Sequence, residues 1–200
     1  MKTLDKDVKE YFSCQLSDIH FTDQMLSQVE FDDCVLSNCD FSDTTFHNCK
    51  FIDCQFEQCN LTLVKFDYSR LSDVTFNDSK MIGIDWTKAD WPTLLPFSPV
   101  HFHRCLMSDA SFFGLPFKEL TLDECKAHNA DFRDGDFSNS NFSYSDFTGS
   151  LFHHTNLSSV NFTEASNYTI DIQSNTIKHA IFTRYEAVRL LESLDIKLVD

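Results

Sequence analysis

Residues 130–149 read ADFRD GDFSN SNFSY SDFTG, four five-residue units with a phenylalanine at the centre of each. A large apolar residue recurs at this interval through most of the chain, from Leu16 to Trp91 and, one residue out of phase, from Phe97 to Phe162. A period of five fits neither an α-helix nor a flat strand. Self-similarity at a fixed short period predicts a solenoid, in which each repeat contacts mainly its neighbours.

The cysteines follow the same period. Each lies two residues before a centre, at Cys14, Cys34, Cys39, Cys49, Cys54, Cys59, Cys105 and Cys125. A disulfide framework or a zinc site would also use closely spaced cysteines. Because one positional rule accounts for all eight, we expect small, buried apolar side chains instead.

The chain of 200 residues carries a formal net charge of −15, from 31 acidic and 16 basic residues. Direct binding to nucleic acid requires a cationic surface, so this composition argues against it. A protein partner with a basic groove remains compatible with the charge. Residues 11–165 hold 23 of the acids but only nine of the Lys and Arg residues, which leaves 14 of the 15 net negative charges there.

The sequence contains no motif that indicates secretion, membrane insertion, catalysis or the binding of a cofactor or metal. The N-terminus has no apolar secretory segment, and no run of about 18 apolar residues could span a membrane. We therefore expect a cytoplasmic protein with no membrane contact. No nucleophile with an adjacent base, glycine-rich phosphate loop or set of converging metal ligands stands out. The sequence thus predicts a protein that is not an enzyme and that binds no cofactor or metal.

Units such as Ala130-Asp131-Phe132 and Ser140-Asn141-Phe142 resemble the pentapeptide-repeat family, whose unit is loosely A-(D/N)-L-x-x. The resemblance implies an all-β fold, a right-handed quadrilateral β-helix with four units per coil. Its expected divisions are an N-terminal cap (1–10), the β-helix (11–165) with a phase break at 92–97, and a C-terminal segment (166–200).

The C-terminal segment contains Tyr185, Val188, Leu191 and Leu194 at spacings of three, which predicts a short amphipathic α-helix. Residues 196–199 then predict a short strand. This ending is similar to that of the gyrase-protecting group of the family, which includes the Qnr quinolone-resistance proteins, the microcin immunity protein McbG and the MfpA type. The resemblance implies a homodimer formed through the C-terminus by these four residues.

The same resemblance implies that the acidic rod binds DNA gyrase or a related topoisomerase as a mimic of duplex DNA and protects it from a quinolone or microcin poison. Qnr proteins carry two projecting loops that quinolone protection requires, whereas the period here predicts no long insertion. The alternative is a generic scaffold protein of the same family with an unrelated partner.

Four units per coil predict one strongly acidic face, centred on Phe31, Phe51, Leu71, Trp91, Phe112 and Phe132. Its expected partner-binding residues are Glu30, Asp32, Asp33, Asp53, Asp73, Asp90, Asp131 and Asp134. Asp33, Asp53 and Asp73 should stack in a column, where like charges repel. The alternative is that these acids only keep the rod soluble.

Trp91 and Phe97 are six positions apart, which is one residue more than the period of five. Pro92, Pro96 and Pro99 lie in or next to this interval. Prolines remove backbone donors, which predicts a bulge in the sheet there. Leu94 and Phe113 should lie beside this bulge. They could form an apolar contact site for a partner. The sequence favours the alternative that the bulge only joins two blocks of coils. In that case the side chains of Leu94 and Phe113 cover each other.

Overall fold

A computed structural model of the chain describes residues 4–5, 7–194 and 196, which form a four-sided parallel β-solenoid. Each side of a coil holds one five-residue unit, and residues 20 apart stack on each other, as Phe31 does on Phe51. The predicted quadrilateral β-helix is confirmed. The strands are β1 (Glu10–Phe12), β2 (Gln15–Ser17), β3 (Met25–Ser27), β4 (Glu30–Asp32), β5 (Val35–Ser37), β6 (Thr45–His47), β7 (Lys50–Ile52), β8 (Gln55–Glu57), β9 (Arg70–Ser72), β10 (Val74–Asn77), β11 (Val100–His103), β12 (Thr121–Asp123), β13 (Asn161–Phe162) and β14 (Ile181–Phe182).

Each of the four faces carries one column of central residues, and the faces are numbered 1 to 4 in chain order. Face 1 carries strands β1, β4, β7 and β9, and face 2 carries β2, β5, β8 and β10–β14. Face 3 is joined by isolated bridges such as His20 to Asp40, and face 4 carries β3 and β6. In the middle of the rod the central residues are Phe51, Leu71 and Trp91 on face 1, Phe56, Phe76 and Phe102 on face 2, Leu61, Met81 and Met107 on face 3, and Phe66, Trp86 and Phe112 on face 4.

Stacked aromatic rings fill the interior. The rings of Phe31 and Phe51 lie 5.0 Å apart and almost parallel, and those of Phe112 and Phe132 lie 5.1 Å apart. Every central residue from Phe21 to Trp86 is buried. Since such side chains dominate core energetics, the five-residue period is the period of the core itself.

The corners between faces explain the polar residues of the repeat. The residue two after each centre adopts a left-handed conformation, with φ of 52° at Asp33, 49° at Asp53 and 52° at Asp73. Asp and Asn tolerate this region better than most other residues with a Cβ. At many corners the chain closes a turn, as where the Thr44 N–H donates to the Phe41 carbonyl at 3.0 Å. The backbone therefore selects for Asp or Asn at this position.

Other corners are closed by a side chain from the next coil. The Ser69 hydroxyl accepts from the Cys49 N–H at 2.9 Å and donates to the Phe46 carbonyl at 2.9 Å. The Cys54 thiol similarly donates to the Phe31 carbonyl at 3.4 Å. All eight cysteines are free and seven are buried, with Cys14 half-buried. They are buried as predicted, and the structure adds that the buried thiols donate hydrogen bonds.

The phase break is larger than the sequence predicts. Phe102 pairs with Phe76, so the coil between them has 26 residues instead of 20. Ser98 follows Trp91 in the position that Ser72 occupies after Leu71, and residues 92–97 leave the coil as a six-residue loop. Phe97 is 58% exposed in this loop, so its assignment as a central residue was wrong.

This larger loop also changes which residues share a face. Phe112 stacks on Trp86, with ring centroids 6.0 Å apart, and Phe117 contacts Trp91. The prediction that Trp91 and Phe112 share a face was therefore wrong. The prediction assumed that the irregular coil has one extra residue. In the structure it has six, which equal one five-residue unit and one further residue.

The ends of the rod are closed by irregular segments. Leu4 is buried against the core at the N-terminal end. The five-residue period stops after Ala165, yet the ring of Phe182 stacks 5.0 Å from that of Phe162, so the solenoid continues to β14 rather than ending at residue 165.

A 3₁₀ helix, Glu186–Leu194, follows the last coil in place of the predicted α-helix. Three residues per turn align Tyr185, Val188, Leu191 and Leu194 on one side. Of the predicted strand at 196–199, residues 197–199 lie outside the described residues. A second, shorter 3₁₀ helix is Trp86–Lys88. None of the described helices has the length and apolarity that crossing a membrane requires.

Candidate partner-binding surface

Six of the eight acids predicted for one face do lie together. Glu30, Asp32 and Asp90 are on face 1, and Asp33, Asp53 and Asp73 occupy its corner with face 2. Asp131 lies on face 4 instead, since it bridges to Ser111 in the column of Asp85. Asp134 lies at the corner of face 4 with face 1, at the opposite edge of face 1 from Asp33. Their predicted position was wrong because the 26-residue coil moves every later unit by one face.

Basic side chains neutralise part of face 1. Lys50 pairs with Glu30 at 2.8 Å, and Arg70 pairs with Asp90 at 2.6 Å. All four side chains are at least one-third exposed, so each pair contributes little to stability. Their effect is on the surface potential, because they remove Glu30 and Asp90 from the net charge of this face.

Asp131 and Asp134 are also engaged. Arg133 pairs with Asp131 at 2.7 Å, and hydrogen bonds from Arg133 lower the pKa of Asp131 although partial burial opposes this. Asp134 lies 3.5 Å from the His154 ring. These residues therefore form local contacts on face 4 and at its corner with face 1.

Four carboxylates remain, Asp32, Asp33, Asp53 and Asp73, which we name the acidic corner. Within the described residues none of them forms an ion pair, and Asp33 accepts a hydrogen bond from Ser13 at 2.8 Å. Successive corner residues are one coil, about 4.8 Å, apart. Duplex DNA carries one charge per roughly 3.4 Å of each strand. The acidic corner thus has a linear charge spacing of the same order as one DNA strand.

The corner conformation does not require these charges. Asn38, Asn48 and Asn139 occupy equivalent left-handed corners elsewhere on the rod. Asparagine fits the backbone without the repulsion that stacked carboxylates create. Three successive aspartates at one corner are therefore a feature that the fold alone leaves unexplained.

The six-residue loop rejoins the coil next to the acidic corner. Pro99 follows Asp73 in the corner column, and its carbonyl accepts from the Val74 N–H at 3.0 Å. Leu94 is 87% exposed on the loop. Phe97 lies five residues before Phe102 and was therefore predicted to be a core residue, but it is exposed on the same loop. A charged column and an exposed apolar loop therefore adjoin each other.

The expectation that Leu94 and Phe113 cover each other was wrong, because Leu94 is almost fully exposed. Phe113 does face outward, but on face 4, where the Arg133 guanidinium lies 5.7 Å from its ring centroid. The two residues were placed together by the same miscount of the coil. Phe113 therefore belongs to a different surface from the loop.

The described part of the chain contains no group of three His, Cys, Asp or Glu side chains placed to hold a metal ion. Burial raises the pKa of the Cys54 thiol to about 12. A thiol that stays protonated at neutral pH is a poor nucleophile.

At the C-terminal end, one side of the 3₁₀ helix packs on the solenoid through Leu190. Tyr185 is 87% exposed and Val188 is 46% exposed, while Leu191 and Leu194 are half-buried. Ile181 on β14 adds a further exposed apolar side chain. The helix thus caps the core with one side and leaves another side uncovered.

A four-sided coil of five-residue units with left-handed corners defines the quadrilateral β-helices. Two profiles of pentapeptide repeats match the sequence, one described as a pentapeptide repeat region over residues 29–112 and one as pentapeptide repeats in eight copies over residues 130–166. The chain belongs to this family. No curated protein matches the sequence.

Two solved structures of trypsin-treated variants of QnrB1, a plasmid-mediated fluoroquinolone resistance protein, are similar to the chain. One has 19% sequence identity and a TM-score of 0.66, and the match covers 100% of this chain and 97% of QnrB1. The other has 20% identity and a TM-score of 0.63, with 96% and 98% covered. At such identities the likeness concerns the fold.

Proposed function

We propose that this protein binds DNA gyrase or a related type II topoisomerase at the basic surface that normally holds DNA, and protects the enzyme from a poison. The observation that carries the proposal is the acidic corner beside the exposed loop. The QnrB1 fold supports it, since that protein is named for fluoroquinolone resistance. The poison is a quinolone or a microcin-type inhibitor.

The contact has a charged and an apolar part. The acidic corner supplies Asp32, Asp33, Asp53 and Asp73 to a basic DNA-binding groove, where complementary potential speeds association and fixes orientation. Leu94 and Phe97 on the loop supply apolar anchors of the kind that dominate interface energies. The loop is also compatible with quinolone protection. The regular period argued against such protection because it predicted no projecting loop. Asp131 and Phe113 are left out of this surface because they lie on face 4, and Asp134 is left out because it lies at the opposite edge of face 1 from the acidic corner.

We further propose that two copies associate through the C-terminal 3₁₀ helix. Tyr185, Val188, Leu191 and Leu194 are aligned, and two of them are exposed. A two-fold dimer is the commonest closed arrangement, and it would double the length of the acidic rod.

The proposal is tested by titrating the protein into a gyrase supercoiling reaction, with and without a fluoroquinolone or microcin. We expect inhibition, or protection from the poison, at about micromolar protein. The effect should weaken steeply as salt increases, because the contact is charge-driven. If the protein neither binds, inhibits nor protects, the topoisomerase proposal is wrong.

A matched pair of variants separates a specific contact from overall charge. The triple variant Asp33→Asn/Asp53→Asn/Asp73→Asn removes the column while keeping side chains that suit left-handed corners. The control, Asp18→Asn/Asp109→Asn/Asp134→Asn, removes the same charge at scattered left-handed corners. We expect about a tenfold loss of potency for the first variant, from about 0.5 kcal/mol per charge. Equal losses in both variants would contradict a role for the column.

A further inference from the structure

Face 4 carries an open groove of about 1010 Å³ between its two corners. Leu63 forms one wall, at the corner with face 3, and Tyr68 forms the other wall, at the corner with face 1. Both side chains are exposed, Leu63 by 48% and Tyr68 by 68%. This groove lies on a different side of the rod from the acidic corner.

Both walls depart from the residue preference of the corners. Leu63 has φ of 58° and Tyr68 has φ of 55°, in the left-handed region where Asp, Asn and Gly are favoured. Gly83 leaves room for Leu63, because a Cβ on Gly83 would lie 2.7 Å from Leu63 Cδ2. Tyr68 rests edge-on against His47, with ring centroids 5.5 Å apart. Two large apolar side chains are thus held exposed at positions that suit small polar ones.

The groove is also acidic. Five carboxylates and two lysine ammonium groups line it. Asp85 and Asp90 are paired with Lys88 and Arg70. Asp23, Asp43 and Asp67 form no ion pair within the described residues. Asp23 and Asp43 precede Leu63 in the same corner column, so unpaired negative charge and an apolar wall follow each other along the rod.

Part of the backbone of face 4 is already paired between coils. The Phe46 N–H donates to the Lys65 carbonyl at 2.8 Å, and the Lys65 N–H donates to the Thr44 carbonyl at 2.9 Å. One coil further on, the Trp86 N–H donates to the Ser111 carbonyl at 3.0 Å. Because these groups are already paired, the proposed recognition rests on the side chains of the groove rather than on strand addition.

We propose that this groove binds an extended peptide segment of a partner protein, in which basic residues precede large apolar residues. Arginine or lysine side chains pair with Asp23 and Asp43, and the apolar residues pack between Leu63 and Tyr68. Two coils of about 4.8 Å separate Asp23 from Leu63, a distance that about three extended residues span. The inference goes beyond the proposed topoisomerase contact and does not depend on it.

The test uses a fluorescein-labelled peptide, Gly-Arg-Arg-Leu-Trp-Gly amide, and the full chain in a fluorescence polarisation titration. We expect a Kd of about 0.1–1 mM for so short a ligand. Two control peptides replace either both arginines by glutamate or the Leu-Trp pair by glycine. Both controls should bind at least about tenfold more weakly, because each lacks one half of the recognition. No saturation by the first peptide overturns the proposal.

Two charge variants localise the site. Asp23→Asn/Asp43→Asn should weaken peptide binding about fivefold, whereas the control Asp33→Asn/Asp53→Asn should change it less than about twofold. Both pairs are stacked one coil apart at left-handed corners, so they remove equal charge from equivalent positions. Equal losses would mean non-specific attraction and would overturn the proposal.

The apolar walls are tested by Leu63→Asn/Tyr68→Asn. Asparagine suits both corners, so we expect the melting temperature to stay the same or rise while peptide binding weakens about tenfold. Light scattering on the same variant distinguishes a second copy of this chain as the occupant. If this substitution alone converts a dimer to a monomer, the groove is a self-interface and the peptide proposal fails.

Discussion

At the scale of single residues, the inward position two before each centre has two functions. It must fit beside the ring stack, and where it is serine, threonine or cysteine its donor group completes the corner of the neighbouring coil, as a valine or alanine such as Val29 or Ala130 cannot. Ser69 both donates and accepts there, and the Cys54 thiol donates to the Phe31 carbonyl. Composition alone predicts the first function, because cysteine behaves as a small hydrophobe. The second depends on which carbonyl the next coil brings near.

Ser69→Ala should therefore be more destabilising than Cys54→Ala. The first change leaves the buried Cys49 N–H without its acceptor, which costs about 1–3 kcal/mol. The second removes a weak donor and should cost about 0.5–1.5 kcal/mol. Guanidinium unfolding of both variants measures the difference. Restoration of stability by Cys54→Ser would support the hydrogen bond, and an equal cost for both alanine variants would contradict it.

Asp146 joins face 3 to the C-terminal region. Although burial raises its pKa, hydrogen bonds from Thr148, Asn167 and His128 lower the pKa to about 2. A carboxyl with a lowered pKa stabilises the fold above its unfolded pKa near 4, and this contribution is lost as the pH falls through about 2.

Asp146→Asn should accordingly lower the free energy of unfolding by about 1–2 kcal/mol at pH 7. The gap between this variant and the unmodified protein should close between pH values of about 4 and 2, because the native carboxyl is then protonated as well. Urea unfolding at pH 7, 4 and 2 measures the gap. A gap that stays constant across this range would argue against the charged form of Asp146 as the cause.

At the scale of elements, the loop at 92–97 is an insertion into an otherwise regular coil. Ser98 and Pro99 stand where Ser72 and Asp73 stand one coil earlier, so the coil is complete without the loop. Loop closure costs little and changes slowly with length. The loop thus exposes Leu94 and Phe97 while Leu95 packs partly against the core.

Deleting residues 92–97 should leave a folded solenoid, since Trp91 would join Ser98 as Leu71 joins Ser72. The melting temperature should fall slightly, because Leu95, which packs partly against the core, is lost with the loop. The same deletion should weaken the proposed topoisomerase contact, because Leu94 and Phe97 are lost with it. Circular dichroism melting and the supercoiling assay report the two effects separately. An unfolded deletion variant would mean that the loop supports the coil.

At the scale of the whole molecule, each coil is supported mainly by its neighbours, so the ends require caps. Leu190 covers the last coil, while Tyr185 and Val188 remain exposed on the same helix. Tyr185→Asp/Val188→Asp should give a stable monomer, because both side chains point away from the core and a pair of charges opposes dimerisation. Size-exclusion chromatography with light scattering measures this. A monomer before any substitution would rule out the proposed dimer.

The sequence by itself determined the solenoid and the inward position of the cysteines, because large apolar side chains that recur every five residues are buried when successive units stack. The number of units per coil came from the family resemblance, since a period of five does not fix it. With four units per coil, the sequence also placed Asp33, Asp53 and Asp73 in one column, because all three precede the irregular coil. Only the tertiary structure decided that six residues leave that coil. A phase shift of one residue cannot distinguish one extra residue from one extra residue plus a whole unit, since both preserve the period. That difference moved Asp131 and Phe113 to face 4 and Asp134 to the corner of face 4 with face 1, exposed Phe97, and placed the loop next to the acidic corner.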